Sequence, residues 1–376
     1  MENDFIPVNA PLIGEEEKIL VNNCLDTGWI SSEGGYIKEF EEKIAFICNR
    51  KYAIAVTSGT AAIDIAIASS KLKEGDEIIV PTFTIISCIS EILRRRIKPI
   101  FIDVNPRTWN IDVEKIERKI SAKTKAIMAV HIYGLPVEME KINSLAKKYN
   151  LFVIEDAAEM LGQIYYGKPC GSFGDISTLS FYPNKHITTG EGGMILTNSS
   201  YLYERCKSLR NLCFMAEERF IHYELGWNYR MTNLQAALGI GQLKRLPEII
   251  KRKREIGNLY NKYLKNCTFI NLPVKKTDYS ENIYWVYGIT INHNTITSKI
   301  LRKELLRKSI GSRPFFYPLH KQPVLENYMP NYKNLEKLPQ SEEIWLKGLY
   351  LPSGIGIKNE EIKYVSDKLK EIFESY

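Results

Sequence analysis

Short apolar runs alternate along the first two thirds of the chain with segments whose apolar residues recur at helical spacing. YAIAV, Tyr52–Val56, is a continuous β-branched and small-residue run, and AAIDIAIASSKL from Ala61 follows it with helical periodicity. DEIIVPT (76–82), KPIFIDV (98–104), KAIMAVHIYG (125–134) and LFVIEDAAE (151–159) repeat the strand pattern, each ending in polar residues, glycine or proline. EMEKINSLAKKYN separates the last two as a helix. Runs of this length, uninterrupted by polar residues, predict strands buried on both faces, and their alternation with helices predicts a largely parallel sheet. In such sheets ligands sit at the carboxyl ends of the strands, so the polar residues there are the ones to weigh. TLSFYP (178–183) and MILTN (194–198) predict two further strands on either side of a glycine-rich turn.

After Leu246 the texture changes. LPEIIKRKREIGNLYNKYLKN predicts a long charged helix, IYWVYGITI (283–291) a strand, and SKILRKELLRKSIG and NEEIKYVSDKLKEIFESY two more helices. The expected organisation is a large domain over 1–246, including an N-terminal substrate-side segment, and a smaller α+β domain over 247–376.

Composition narrows the class of function. The 376 residues carry 51 basic and 44 acidic side chains, a net +7 with no long run of like charge, which excludes a nucleic-acid-binding arm. Seven dispersed cysteines without a CxxC pair, and five histidines without HExxH or HxH spacing, predict neither a disulfide framework nor a metal site. No apolar stretch reaches the length of a membrane span, and the acidic, proline-interrupted start is no signal peptide. A cytoplasmic protein is expected.

Four strand-end features carry candidate chemistry. Ser58–Gly59–Thr60 reads by itself as a helix N-cap, with an anion cradle of backbone N–H groups as the alternative. Asp156 ends a hydrophobic strand, where a carboxylate needs a partner: an internal arginine or a cationic ligand. Lys185 and His186, in SFYPNKHITTGEGG (180–193), lie on the loop before the glycine turn. There a lysine is either solvated or the amine that forms an imine. GWNYRMTNLQAALGIGQL (226–243) leads a polar loop from Asn228 into a helix capped by Thr232 or Asn233. A phosphate cradle, a strand-end aspartate and a loop lysine together match the needs of pyridoxal 5′-phosphate.

The motifs GWISSEGGYI, TSGTAA, VPTFT, VHIYG, EDAAE, SFYPNKHITTGEGG, GWNYRMTN and RPFFYPLHKQP, in this order over nearly the whole chain, resemble the DegT-type sugar aminotransferases. That resemblance implies the aspartate aminotransferase fold (type I), α/β with a mostly parallel mixed sheet between helices and a smaller C-terminal α+β domain. It implies that Lys185 links covalently to the cofactor aldehyde and that Asp156 faces the ring nitrogen. Gly59, Thr60 and Ser180 would bind the phosphate, and Asn228 would reach it from the partner subunit of a homodimer. Glu159 would lie near the ring hydroxyl. Ile85 would pack on the ring where many members carry an aromatic, which forgoes ~0.5–1.5 kcal/mol of stacking.

On the substrate side the resemblance suggests Trp29, Ser31, His186, Arg313, Tyr317 and His320. For Arg313 a surface salt bridge, and for Trp29 a buried anchor, are equal alternatives. The expected reaction moves an amino group from glutamate to the keto carbon of a nucleotide-linked 4-keto-6-deoxy sugar. Alternatives are a smaller phosphorylated ketone as acceptor, a cofactor-binding regulator, and a sugar dehydratase. A related 3-dehydratase has histidine where Lys185 stands, so the retained lysine favours amino transfer.

Overall fold

The computed structural model describes residues 5–215, 217–330 and 335–376. Seven strands form the main sheet: β1 (Tyr52–Val56), β2 (Glu77–Pro81), β3 (Lys98–Ile102), β4 (Thr124–Val130), β5 (Phe152–Asp156), β8 (Ile176–Ser180) and β9 (Gly193–Thr197), in the order β1-β9-β8-β5-β4-β2-β3. The short pair β6 (Ile164–Tyr165) and β7 (Lys168–Pro169) forms a hairpin outside it. Within the sheet only β9 runs against the others, pairing antiparallel with both β1 and β8.

Alternate residues of a strand point to opposite faces, and β1 shows the result. Ile54 and Val56 enter one apolar core with α3 (Gly59–Ser69), α4 (Ser87–Arg94) and α6 (Ser200–Arg210). Ala53 and Ala55 enter a second core with α2 (Gly35–Ile47), α5 (Met139–Tyr149) and α7 (Asn233–Lys244). Both faces are therefore covered, which is why these strands read as continuous apolar runs. Helix α1 (Glu15–Thr27) lies on α7, where the buried Glu17 accepts from Gln242 and Arg245. Thr232 caps α7: its hydroxyl accepts from the Gln235 N–H at 3.3 Å while the Gln235 side chain accepts from the Thr232 N–H at 2.9 Å.

A second, four-stranded sheet joins β10 (Ile270–Asn271), β11 (Tyr287–Ile291), β12 (Arg313–Pro314) and β13 (Gly348–Leu351), ordered β10-β11-β13-β12. It shares a third apolar core with α8 (Leu246–Leu264), α9 (Ser298–Arg307), α11 (Asn359–Glu374) and the N-terminal Ile6. The predicted strand over 283–291 is shorter than its apolar run, because Tyr284 takes φ 49° and its N–H is captured by the Asn282 side chain at 2.7 Å. That turn frees Trp285 from the small sheet and sends it toward the main one. Phe315, Leu319 and Leu325, together with α10 (Pro339–Lys347), pack on the main sheet's core instead of the small sheet's.

Candidate active site

A cavity of about 310 Å³ opens at the carboxyl ends of the parallel strands. Eight of the residues singled out in the sequence line it: Ser58, Gly59, Thr60, Ile85, Asp156, Glu159, Ser180 and Lys185. Each follows from the topology. Gly59 begins α3 just after β1, Asp156 ends β5, Ser180 ends β8, and Lys185 lies on the loop between β8 and β9.

The cradle resolves an ambiguity of the sequence, because Ser58 serves both readings. Its hydroxyl accepts from the Ala61 N–H at 3.0 Å and caps α3. The first N–H groups of the helix are thereby left pointing outward, at the positive end of its dipole. A Cβ at position 59 would stand 2.8 Å from the Ser180 Cβ. Glycine thus keeps open a gap walled by the helix N-terminus and the Ser180 side chain, a donor set suited to a phosphate.

Asp156 is 2 % exposed, and its Oδ1 accepts from the Ala158 N–H at 3.0 Å and the Thr178 hydroxyl at 3.2 Å. The Cys88 thiol donates weakly to Oδ2 at 3.5 Å. Among the described residues no basic side chain forms an ion pair with it, which leaves a cationic ligand as the partner a buried carboxylate calls for. Glu159 accepts from the Tyr133 N–H at 2.6 Å and faces the Lys185 amine at 4.0 Å. Burial pushes the Glu159 carboxyl up to about 8, against the pull of Lys185 and the Tyr133 N–H. Burial likewise lowers the pKa of the Lys185 amine, opposed by Glu159 and Asp156. Both are driven toward neutrality in the same dry corner.

Trp285, which the sequence reading placed inside a strand, decides how Lys185 is held. The amine stands 3.7 Å from the indole centroid. The indole N–H donates to the Asn184 carbonyl at 2.8 Å, and the Asn9 side chain donates to the same oxygen at 3.1 Å. Tyr182, Asn184, Phe316 and Tyr350 also line the cavity and were not singled out in the sequence. Their common signal, an aromatic or amide next to a motif residue or in the small sheet, is too ordinary to find alone.

The remaining candidates lie outside the cavity. His186 is 2 % exposed, and burial next to Lys253 lowers its pKa to about 3, so it stays neutral behind the loop. His320 is a buried staple, with Nδ1 2.7 Å from the Thr82 hydroxyl and Nε2 3.2 Å from Glu342. Tyr317 packs edge-on against Trp345. Trp29 is 60 % exposed, not a buried anchor; it and Ser31 use their carbonyls to hold Asn233. Asn228 is exposed and accepts from Arg230. Arg313 lies on β12 opposite Tyr350 and forms no salt bridge among the described residues.

The model of the DegT/DnrJ/EryC1/StrS aminotransferase family matches residues 11–370. The chain belongs to that family. GDP-perosamine synthase of Escherichia coli O157:H7 is 42% identical to this aminotransferase over 98% of the chain and 99% of its own length. Among solved structures, the Helicobacter pylori aminotransferase PseC, involved in the biosynthesis of pseudoaminic acid, superposes with TM-score 0.93 at 25% identity, covering 99% of this chain and 100% of that one. The E. coli GDP-4-keto-6-deoxy-D-mannose-3-dehydratase with bound hydrated PLP follows with TM-score 0.88 at 25% identity, over 98% and 100% of the two chains. The fold is therefore that of the pyridoxal-phosphate sugar aminotransferases, and the chain is an aminotransferase whose cofactor is pyridoxal 5′-phosphate. The cradle held open at Gly59 and the unpaired Asp156 fit that cofactor's phosphate and its ring cation.

Proposed function

We propose that this aminotransferase moves an amino group from glutamate to the keto carbon of a nucleotide-linked 4-keto-6-deoxy sugar, in the making of a surface polysaccharide or glycan. The observation that carries the reading is the Lys185 amine, buried between Trp285 and Glu159 at the cavity, in a chain 42% identical to a GDP-perosamine synthase. Bound in the cavity, pyridoxal phosphate supplies an aldehyde that exchanges amines and a ring that accepts electron density.

The chain's own residues do the rest. The Gly59 and Thr60 N–H groups and the Ser180 hydroxyl hold the phosphate. The Asp156 carboxylate keeps a proton on the ring nitrogen. Ile85 would pack against the ring, and Glu159, whose carboxyl burial drives toward its neutral form, would lie near the ring hydroxyl. Lys185 Nζ would be the amine that holds the cofactor aldehyde and, once freed, the base that takes the donor's α-proton and passes it to the cofactor's reacting carbon, the reverse serving the acceptor. Trp285 keeps water from that amine. A dry, apolar wall favours the neutral form a base requires.

Two coarser features belong to the same proposal. The enzyme works as a homodimer in which Asn228, exposed and not lining its own cavity, completes the neighbouring site; exposed Trp29, Phe220 and Leu225 support such an interface. It resides in the cytoplasm, which suits seven cysteines that are all free, and the two units divide at Leu246. Among the described residues no helix is long and apolar enough to cross a membrane.

The test is to reduce the cofactor-loaded enzyme with glutamate, then offer GDP-4-keto-6-deoxymannose beside a panel of small phosphorylated ketones. The expected result is a cofactor absorbance that shifts with glutamate and returns only with the sugar nucleotide. Return with small ketones alone would overturn the acceptor assignment, and a spectrum deaf to every amino donor would overturn the reaction.

A further inference from the structure

Helix α8 buries one stripe of side chains, Leu246, Ile249, Lys253, Ile256, Tyr260 and Leu264. At the spacing of a helix's inward face, Lys253 occupies a place suited to an apolar residue. It is 2 % exposed, and among the described residues no acid lies within ion-pair distance of its amine. The charged groups nearby do not relieve it. Arg254 on its own helix and Lys185 on the loop between β8 and β9 are cations that act, together with Lys253, on the buried ring of His186. Glu361 of α11 acts on Tyr260, while burial alone governs Lys253 and lowers its amine to about 7. A buried ammonium without a counter-charge costs stability that an apolar side chain would not. Packing therefore does not account for the lysine; its hydrogen bond does.

The amine donates to the Ser353 carbonyl at 2.6 Å, just beyond β13. Farther along the same stripe, the Tyr260 hydroxyl donates to the Pro352 carbonyl at 2.7 Å. Ser353 is engaged at its other polar groups too: its hydroxyl oxygen accepts from the Tyr287 N–H at 3.2 Å, and its N–H donates to the Val8 carbonyl at 3.0 Å. The next residue, Asn9, donates from its side chain to the Asn184 carbonyl at 3.1 Å. The N-terminal segment is pressed onto this turn, since a Cβ at Gly354 would stand 2.9 Å from the Ala10 nitrogen and 3.2 Å from the Asn9 Cα. A run of hydrogen bonds thus joins the buried amine to the residue before Lys185, and its charge acts on the residue after it. We propose that Lys253 is a positioning residue for amino transfer, setting through Ser353, Val8, Asn9 and Asn184 where the Lys185 amine stands. Lys253 does not itself line the cavity. This rests on the reading of Lys185 as the amine that links to the cofactor. Below about pH 7 the bond to Ser353 is charge-assisted, and it slackens as Lys253 loses its proton.

The experiment compares the cofactor-loaded enzyme with its Lys253→Met, Lys253→Arg and Asn9→Ala variants at matched cofactor content. Backbone hydrogen exchange over residues 181–187 is followed beside the glutamate half-reaction, read by cofactor absorbance on either side of pH 7. Lys253→Met and Asn9→Ala are expected to speed exchange of the loop about tenfold. They should slow the half-reaction at saturating glutamate about tenfold to a hundredfold, with the half-saturating concentration unchanged within about twofold. The parent rate should fall by a smaller step as pH rises through about 7. That step should vanish in Lys253→Met, and vanish in Lys253→Arg with the rate kept near the parent's, because a guanidinium holds its charge. Variants that lose stability in urea yet keep the parent's loop exchange and rate per bound cofactor would make Lys253 purely structural and overturn the proposal. Asn9 is half-buried and outside the helix, so its variant reports even if the Lys253 variants fail to fold; parent-like exchange and rate there would also overturn it. Faster loop exchange with an untouched half-reaction would leave the tether standing and sink the reading of Lys185. A half-reaction abolished by Lys185→Ala but indifferent to all three substitutions would do the reverse.

Discussion

Glu155 and Glu159 are both buried, four residues apart at the end of β5, and the protein treats them in opposite ways. Glu155 points away from the cavity. It accepts from the N–H groups of Gly171, Phe173 and Gly174 at 2.6, 2.8 and 3.0 Å, from the Ser177 hydroxyl at 2.8 Å and from His131 at 3.1 Å, with Arg50 at 3.8 Å. Burial alone would raise its pKa, but His131, Arg50 and the N–H donors outweigh it and hold the group at about 2. Glu159 has one N–H donor and a lysine at 4.0 Å, and burial prevails. The number of donors aimed at a carboxylate, not its depth, decides whether it keeps its proton. The first glutamate is a fixed charge that pins the loop under the sheet. The second is a neutral donor in the site.

Five substitutions test the contrast and the site around it. Removing the amine that Glu159 faces has the largest effect. Lys185→Ala should lose turnover by about 10⁴-fold, read in a coupled amino-transfer assay. Without the pull of that amine the Glu159 carboxyl should hold its proton still more tightly. Glu155→Ala should destabilise the fold by about 3–5 kcal/mol in urea titration, because Arg50 and the loop donors are left buried and unmet. Gly59→Ala should weaken cofactor binding about tenfold, measured by equilibrium dialysis, since its Cβ crowds Ser180.

The smallest change at neutral pH is expected for Glu159→Gln, within about 1 kcal/mol of the parent. Its signature lies in the pH profile. The Glu159 pKa is raised on folding from the ordinary 4.5, so its contribution is fully present below 4.5 and is lost as pH rises through about 8. The glutamine variant should therefore be the more stable of the two above pH 8. Glu155, depressed to about 2, contributes above 4.5 and loses its contribution as pH falls toward 2. Glu155→Gln should flatten that acid limb. A variant at either position that flattened the other's limb would defeat the comparison.

The strand-end half of the site was legible because the sequence itself encodes it. A strand that stops in Asp156 or Ser180 places those groups at the sheet's carboxyl edge, wherever the rest of the chain goes. Trp285 and Tyr350 were illegible for the opposite reason. They reach the cavity only through the small sheet's position, and Trp285 also needs the left-handed turn at Tyr284. His186 and His320 were overread, since a histidine in a motif gives no sign of whether its ring faces solvent, substrate or core. The apolar run at 283–291 predicted more strand than exists because periodicity registers burial, and burial does not require pairing.

The Asn184 carbonyl described above is held from two sides, by the Trp285 indole just ahead of β11 and by the Asn9 amide of the N-terminal segment. Thr82 is bound in addition by the Leu319 N–H at 2.7 Å and by His320. Swinging the two sheets apart would have to break all of these together, at about 0.5–1.5 kcal/mol apiece, and would drag the lysine loop with it. Such stitching favours a catalyst that stays shut along this seam through its whole cycle, admitting sugars and amino acids by a fixed doorway instead of a clamshell.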